Sequence, residues 1–168
     1  CLPSMLLYWH RFHTDGTRID TETEDDSIAG HFLHMLHDKP PPALHEKCLS
    51  TTLILYAEHE FNASTFTGRV ITATLSDMHS AISGAIGALR GPLHGGANEA
   101  AMELIQKFST PEEATAGVKG MLERKELIMG FGHRVYTTSD PRNAVNKRMS
   151  RQLAEEAGDL TLYDVSEA

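Results

Sequence analysis

Apolar residues recur along the chain at spacings of three and four, and glycine and proline interrupt them at intervals of ten to twenty positions. Leu6, Leu7 and Trp9 form the first stripe and predict a short helix over 3–13, with Pro3 in its first turn and Asp15-Gly16 as the stop. The polar stretch 17–24 reads as loop. Asp25 and Asp26 stand where carboxylates favour a helix N-terminus, and Ile28, Phe32, Met35 and Leu36 carry a second helix up to the three prolines at 40–42. Cys48, Leu49, Thr52, Leu53 and Tyr56 place a third over 44–58. Residues 62–75 hold Val70, Ile71 and several threonines, which also suit a strand; helix is the assignment made.

Ser76-Asp77 opens the next helix, whose apolar stripe is Ile82, Ala85, Ile86 and Leu89. Ala81, Gly84, Ala85 and Ala88 put small side chains on one face, where another helix can approach closely. Interior glycine costs about 1 kcal/mol against alanine, so Gly84 and Gly87 point to backbone approach rather than propensity. Gly91-Pro92 breaks this helix, and another opens near Asn98 with Ala101, Leu104, Ile105 and Phe108 on one face. Thr110-Pro111-Glu112-Glu113 combines a cap, a first-turn proline and a capping-box glutamate ahead of Ala114, Val118, Met121 and Leu122. Asp140-Pro141 repeats the signal, and Val145, Met149 and Leu153 lead to a stop at Gly158. The class expected is mainly α.

Composition narrows the function classes. The chain has 168 residues, 40% hydrophobic, enough for a real core. Fifteen Lys+Arg against 23 Asp+Glu give a net charge of -8 with no basic stripe, which argues against a nucleic-acid partner. No apolar run approaches the roughly 20 residues of a membrane span, so no membrane partner is expected. Two cysteines, Cys1 and Cys48, and no leader-like opening point to a cytoplasmic location. A start at Cys1 without methionine reads as a piece of a longer polypeptide.

Ten histidines focus the search for chemistry. His31, His34 and His37, three apart, could bring two imidazoles to one metal, but steps of three drift around a helix and no metal site is assigned. Three others sit at junctions rich in glycine or small polar residues: His59 in Glu58-His59-Glu60-Phe61-Asn62-Ala63-Ser64-Thr65, His94 in Gly91-Pro92-Leu93-His94-Gly95-Gly96-Ala97-Asn98-Glu99, and His133 in Gly130-Phe131-Gly132-His133-Arg134-Val135-Tyr136. Glycine there allows close approach of backbone or ligand, and a helix opening after His94 would offer N–H groups to an anion. A capped loop with a surface histidine is the simpler reading of each taken singly.

Taken in order, these three motifs, with Asp140-Pro141-Arg142 after them, resemble the citrate synthase family over essentially the whole chain. Residues 25–34 and 56–61 look most like its 2-methylcitrate synthase branch. The resemblance implies a large helical domain over 1–97 and the start of a smaller one over 98–168. It also implies a Claisen-type condensation of an acyl-CoA with oxaloacetate, followed by hydrolysis of the thioester. Propionyl-CoA is the expected donor and acetyl-CoA the alternative; the CoA thioester is a substrate, and no cofactor is expected.

By the same resemblance, His94 donates to the enolate oxygen as a neutral imidazole, Ser64 orients its ring, and His133 polarises and protonates the ketone of oxaloacetate. His59 and Arg142 bind that substrate, an arginine fork suiting a carboxylate. Ile128, Met129, Gly130, Phe131 and Gly132 lie against CoA. The carboxylate that removes the α-proton belongs to a later family motif, and neither Asp140 nor Asp164 sits in one, so residues 1–168 alone are expected to be inactive. A homodimer is expected, with the helix over 76–90 between subunits and Ala85 near the contact; that the small-residue face packs within its own chain is the other reading. A non-catalytic helical binding or assembly module that has lost the base is the alternative from another class.

Overall fold

A computed structural model describes residues 2–58, 60–131, 136 and 138–168. Among them the secondary structure is helical throughout, without a strand. In chain order the helices are α1 (Leu2–Asp15), α2 (Ile28–His37), α3 (Ala43–Ala57), α4 (Ala63–Ala73), α5 (Met78–Leu89), α6 (Ala97–Ile105), α7 (Pro111–Glu123), α8 (Asn143–Ala157) and α9 (Thr161–Glu167). They form two compact units, Cys1–Glu58 and His59–Ala168. No described helix is long and apolar enough to cross a membrane.

In the first unit α2 packs against both α1 and α3, burying Leu7, Ala29, Met35 and Cys48. Polar contacts brace this core. The His31 ring meets the Ser4 hydroxyl through Nε2 at 2.9 Å and the Thr23 hydroxyl through Nδ1 at 2.8 Å. His34 Nδ1 lies 2.8 Å from Asp25 Oδ2. The His31 and His34 side chains thus serve to hold the 16–27 loop on α1 and α2, and His37 is exposed. The cap of α2 is Ser27, whose Oγ accepts from the Gly30 N–H at 2.8 Å.

The second unit begins with the antiparallel hairpin of α4 and α5, the most extensively packed helix pair among the described residues. The 62–75 region holds the helix α4 rather than a strand, and its threonines, β-branched though they are, find local acceptors: the Thr67 and Thr72 hydroxyls each donate to the carbonyl four residues back at 2.8 Å. The small-residue face of α5 is turned onto α4. A Cβ on Gly84 would stand 2.2 Å from Ile71 Cδ1, and one on Gly68 would stand 3.7 Å from Ala85 Cβ. Gly84 is therefore the complement of Ile71, and Ala81 and Ala85 are the complement of Gly68, within the same chain.

Helices α6, α7 and α8 all contact α9, a short element that the apolar pattern does not predict. Its buried Val165 joins Leu104, Ala114 and Met149 in the core, and the Lys147–Glu167 ion pair ties α8 to it. Gly117 of α7 lets the Phe108 ring approach the helix closely, with Cε1 2.3 Å from where a Cβ would be.

Helix capping gives a measurable pH dependence. Asp77 caps α5, accepting from the Ser80 N–H at 2.9 Å and the Ser80 hydroxyl at 2.8 Å, and these bonds lower its pKa below the usual 3.8. A depressed carboxyl pKa stabilises the fold above the unfolded value, and that contribution disappears as pH falls through the lower folded value. Asparagine caps a helix about as well without a charge. Thermal melts of Asp77→Asn should match wild type at pH 7 and lose less stability than wild type between pH 4 and pH 2; parallel losses would show that the Asp77 carboxylate contributes nothing to acid sensitivity.

Candidate functional site

The α4–α5 hairpin brings the end of α5 back beside the start of α4, and the 91–96 turn closes the gap between them. His94 N–H and Gly95 N–H both donate to the Gly91 carbonyl, at 2.9 and 3.1 Å, which coils the turn tightly. Gly95 makes that coil possible: a Cβ there would lie 2.0 Å from the Leu89 carbonyl oxygen. The glycine is thus required by the approach of the chain to itself. The result is a half-buried imidazole directed at the first turn of α4.

The first N–H groups of a helix have no partner inside it. In α4 two acceptors supply the need. Asn62, the N-cap, takes the Thr65 N–H on Oδ1 at 3.0 Å. The Ser64 N–H points to His94 Nε2 at 3.3 Å, and the Ser64 hydroxyl oxygen lies 3.0 Å from the same nitrogen. A backbone N–H can only donate, so this contact is a hydrogen bond in the tautomer whose ring proton resides on Nδ1 and whose Nε2 accepts. In that tautomer His94 presents an N–H whose direction is set by a helix terminus, the kind of fixed donor that stabilises a negative charge developing on a reacting oxygen.

Arg142 stands at the entry to α8 with its guanidinium engaged by a carboxylate. Its Nε lies 3.0 and 3.1 Å from the two Asp140 oxygens, and an Nη lies 2.6 Å from Oδ2. The Asp140 Oδ1 also accepts from the Arg142 N–H at 2.9 Å, closing an Asp-Pro-Arg turn. The Tyr136 ring faces the guanidinium, with Cζ 5.7 Å from the ring centroid. The fork geometry expected for carboxylate recognition is present, occupied by the side chain two residues earlier.

Residues 128–131 form a turn against α6. Ile128 is buried, Gly130 has a φ of +95°, and a Cβ on Gly130 would touch Ala101 at 3.5 Å. Met129 is half-buried, whereas Phe131 is 71% exposed. His59, Gly132 and His133 lie outside the described residues. Of the residues singled out from the sequence, His94 and Ser64 are in direct contact. Asn62 was missed as part of the site, although an asparagine just ahead of a helix start is a sequence-level cap signal.

Comparison with known proteins relates the whole chain to one family. The chain is 64% identical over 166 residues to the 2-methylcitrate synthase of Shewanella oneidensis, covering 99% of this chain and 44% of that protein. It is 48% identical over 143 residues to citrate synthase 2 of Bacillus subtilis, covering 85% and 38%. The chain thus spans less than half the length of these relatives. Among solved structures, it superposes on citrate synthase from Thermoplasma acidophilum, a ternary complex with carboxymethyl coenzyme A and oxaloacetate, with a TM-score of 0.87 and 34% identity over 98% of this chain and 44% of that one. Citrate synthase from Thermotoga maritima matches with a TM-score of 0.82 and 37% identity over the same shares. The family model described as citrate synthase, C-terminal domain, matches residues 1–168 in full, and the chain belongs to the citrate synthase family.

Proposed function

We propose that this chain is part of an enzyme that condenses an acyl-CoA with oxaloacetate and then hydrolyses the thioester, with propionyl-CoA as the preferred donor and 2-methylcitrate as the product. The observation that carries the reading is the contact of the Ser64 N–H with His94 Nε2, the arrangement in which Nδ1–H is the donor. The α-proton of a thioester is weakly acidic, and its removal puts charge on the thioester oxygen. A donor already in place there lowers the barrier without reorganisation. The carboxylate that takes the proton comes from chain beyond residues 1–168.

Carbon–carbon bond formation then turns the ketone of oxaloacetate into an alkoxide, and His133 is the residue assigned to polarise and protonate it. Arg142, with His59, meets a substrate carboxylate; the Asp140 pairing fixes the guanidinium at the start of α8. Water attack on the resulting thioester releases CoA. In this reading residues 1–97 belong to the larger helical domain and 98–168 open the smaller one.

A homodimer completes the proposal. Ala85 faces α4 of its own chain, so the small-residue face is already used. The adjoining stripe of α5, Ile82, Ile86 and Leu89, is exposed to the extent of 44%, 56% and 48%, and Phe66 and Val70 of α4 are also exposed. A second copy related by a two-fold axis would cover these residues.

Three outcomes test this account in the protein that carries the chain. His94→Ala should lower kcat by roughly 10²–10³-fold, the weight of one oxyanion donor, with little change in oxaloacetate affinity, whereas Arg142→Ala should raise the KM for oxaloacetate. Steady-state kinetics showing the reverse pattern would exchange their roles. With both donors compared, kcat/KM should favour propionyl-CoA over acetyl-CoA, within the range of about 10–200-fold that one methyl group commands. A preference for acetyl-CoA would make the activity that of a citrate synthase. Light scattering should find a dimer at micromolar concentration and a monomer for Ile86→Asp; a monomeric wild type would remove the dimer.

A further inference from the structure

The Ser64 hydroxyl carries one proton and has two acceptors within reach. Asn62 Oδ1 lies 2.8 Å from Ser64 Oγ, and His94 Nε2 lies 3.0 Å from it. The orientation of the Asn62 amide is settled by the helix: Oδ1 must face the Thr65 N–H at 3.0 Å, so Oδ1, which cannot donate, is the atom that meets the Ser64 hydroxyl. Each position of the hydroxyl proton favours a different form of the His94 ring.

When Ser64 donates to Asn62, its oxygen turns a lone pair toward Nε2 and favours the tautomer with the proton on Nε2. Nδ1 is then bare and can only accept. When Ser64 turns its proton to Nε2, that nitrogen accepts from both the hydroxyl and the backbone N–H, and the ring proton resides on Nδ1. The rotation of the hydroxyl moves no proton between heavy atoms. The tautomers themselves interconvert by loss of one ring proton to water and gain of another from it.

We infer that Asn62 is a positioning residue that sets the tautomer of His94 through the Ser64 hydroxyl, and so governs the fraction of molecules in which Nδ1 is a donor. This rests on the assignment of His94 as the donor to the enolate oxygen. Within the cluster the two influences oppose each other: the fixed Ser64 N–H favours Nδ1–H, and the Asn62 amide favours Nε2–H. Asn62 therefore has a second task besides capping α4. A capping role alone would be met about as well by serine or aspartate.

The test reads the ring directly, on the protein carrying this chain labelled with ¹⁵N-histidine and without substrate. The His94 signals are identified by their absence in His94→Ala, and the ¹⁵N shifts of Nδ1 and Nε2 report the tautomer ratio. Asn62→Ser keeps a capping oxygen but withdraws the amide from the Ser64 hydroxyl. It should move the ratio toward Nδ1–H by about 2- to 10-fold, the weight of one neutral hydrogen bond. Ser64→Ala leaves the Asn62 cap untouched and should move it the same way, and the double variant should move it no further than Ser64→Ala. An unchanged ratio in Asn62→Ser, or a shift of equal size added on top of Ser64→Ala, overturns the inference. Activity is assayed separately: a wild type that does not release CoA from acyl-CoA and oxaloacetate sinks the condensation reading and leaves the tautomer measurement intact.

Discussion

The start of a helix leaves N–H groups that must find acceptors, and at α4 that requirement joins two parts of the chain thirty residues apart. One acceptor is local, the Asn62 side chain, and the other is the His94 ring. For the ring to arrive, α5 has to run back along α4 and the chain has to turn sharply at its end. The first condition is met by the Ala81, Gly84 and Ala85 face closing on Gly68 and Ile71, and the second by Gly95 against the Leu89 carbonyl. Packing, turn and cap thus converge on one imidazole, and its direction follows from the backbone of a helix.

The other named residues are held by the same logic on different elements. Arg142 is fixed by an Asp-Pro-Arg turn at the mouth of α8, and α8 is tied to α9 by the Lys147–Glu167 pair. The 128–131 turn rests on α6, which also contacts α9. Short as it is, α9 is the element on which three helices of the second unit meet.

Much of this was legible in the chain because capping is a local, chemical signal. Asp77 and Thr110 sit where their side chains accept N–H groups three residues on. The first cap of the 25–37 region is Ser27 rather than the acidic pair before it; Asp25 instead accepts from Thr23 and His34, which lowers its pKa. The helix at α4 was the hardest to separate from a strand, since the residues that decide it are an isoleucine fitting a glycine in another helix. The reading missed α9: seven residues carry too few apolar positions to show a period, and Val165 is buried because three neighbours surround it. Nor could the pattern of small residues on α5 say whose helix they meet; only the fold assigns them to Ile71. The pairing of His94 with Ser64 came from resemblance to a family, because no periodicity relates residues thirty apart. Asn62 entered only when distances were known.

The account stands on the direction of one N–H. A crystal structure of the protein with oxaloacetate and a non-enolisable acyl-CoA analogue measures it. The account predicts His94 Nδ1 within about 3 Å of the analogue's carbonyl oxygen, hydrogen-bond distance, while Nε2 still meets the Ser64 N–H. An analogue whose carbonyl lies against another group, with the His94 ring turned away from α4, would contradict it.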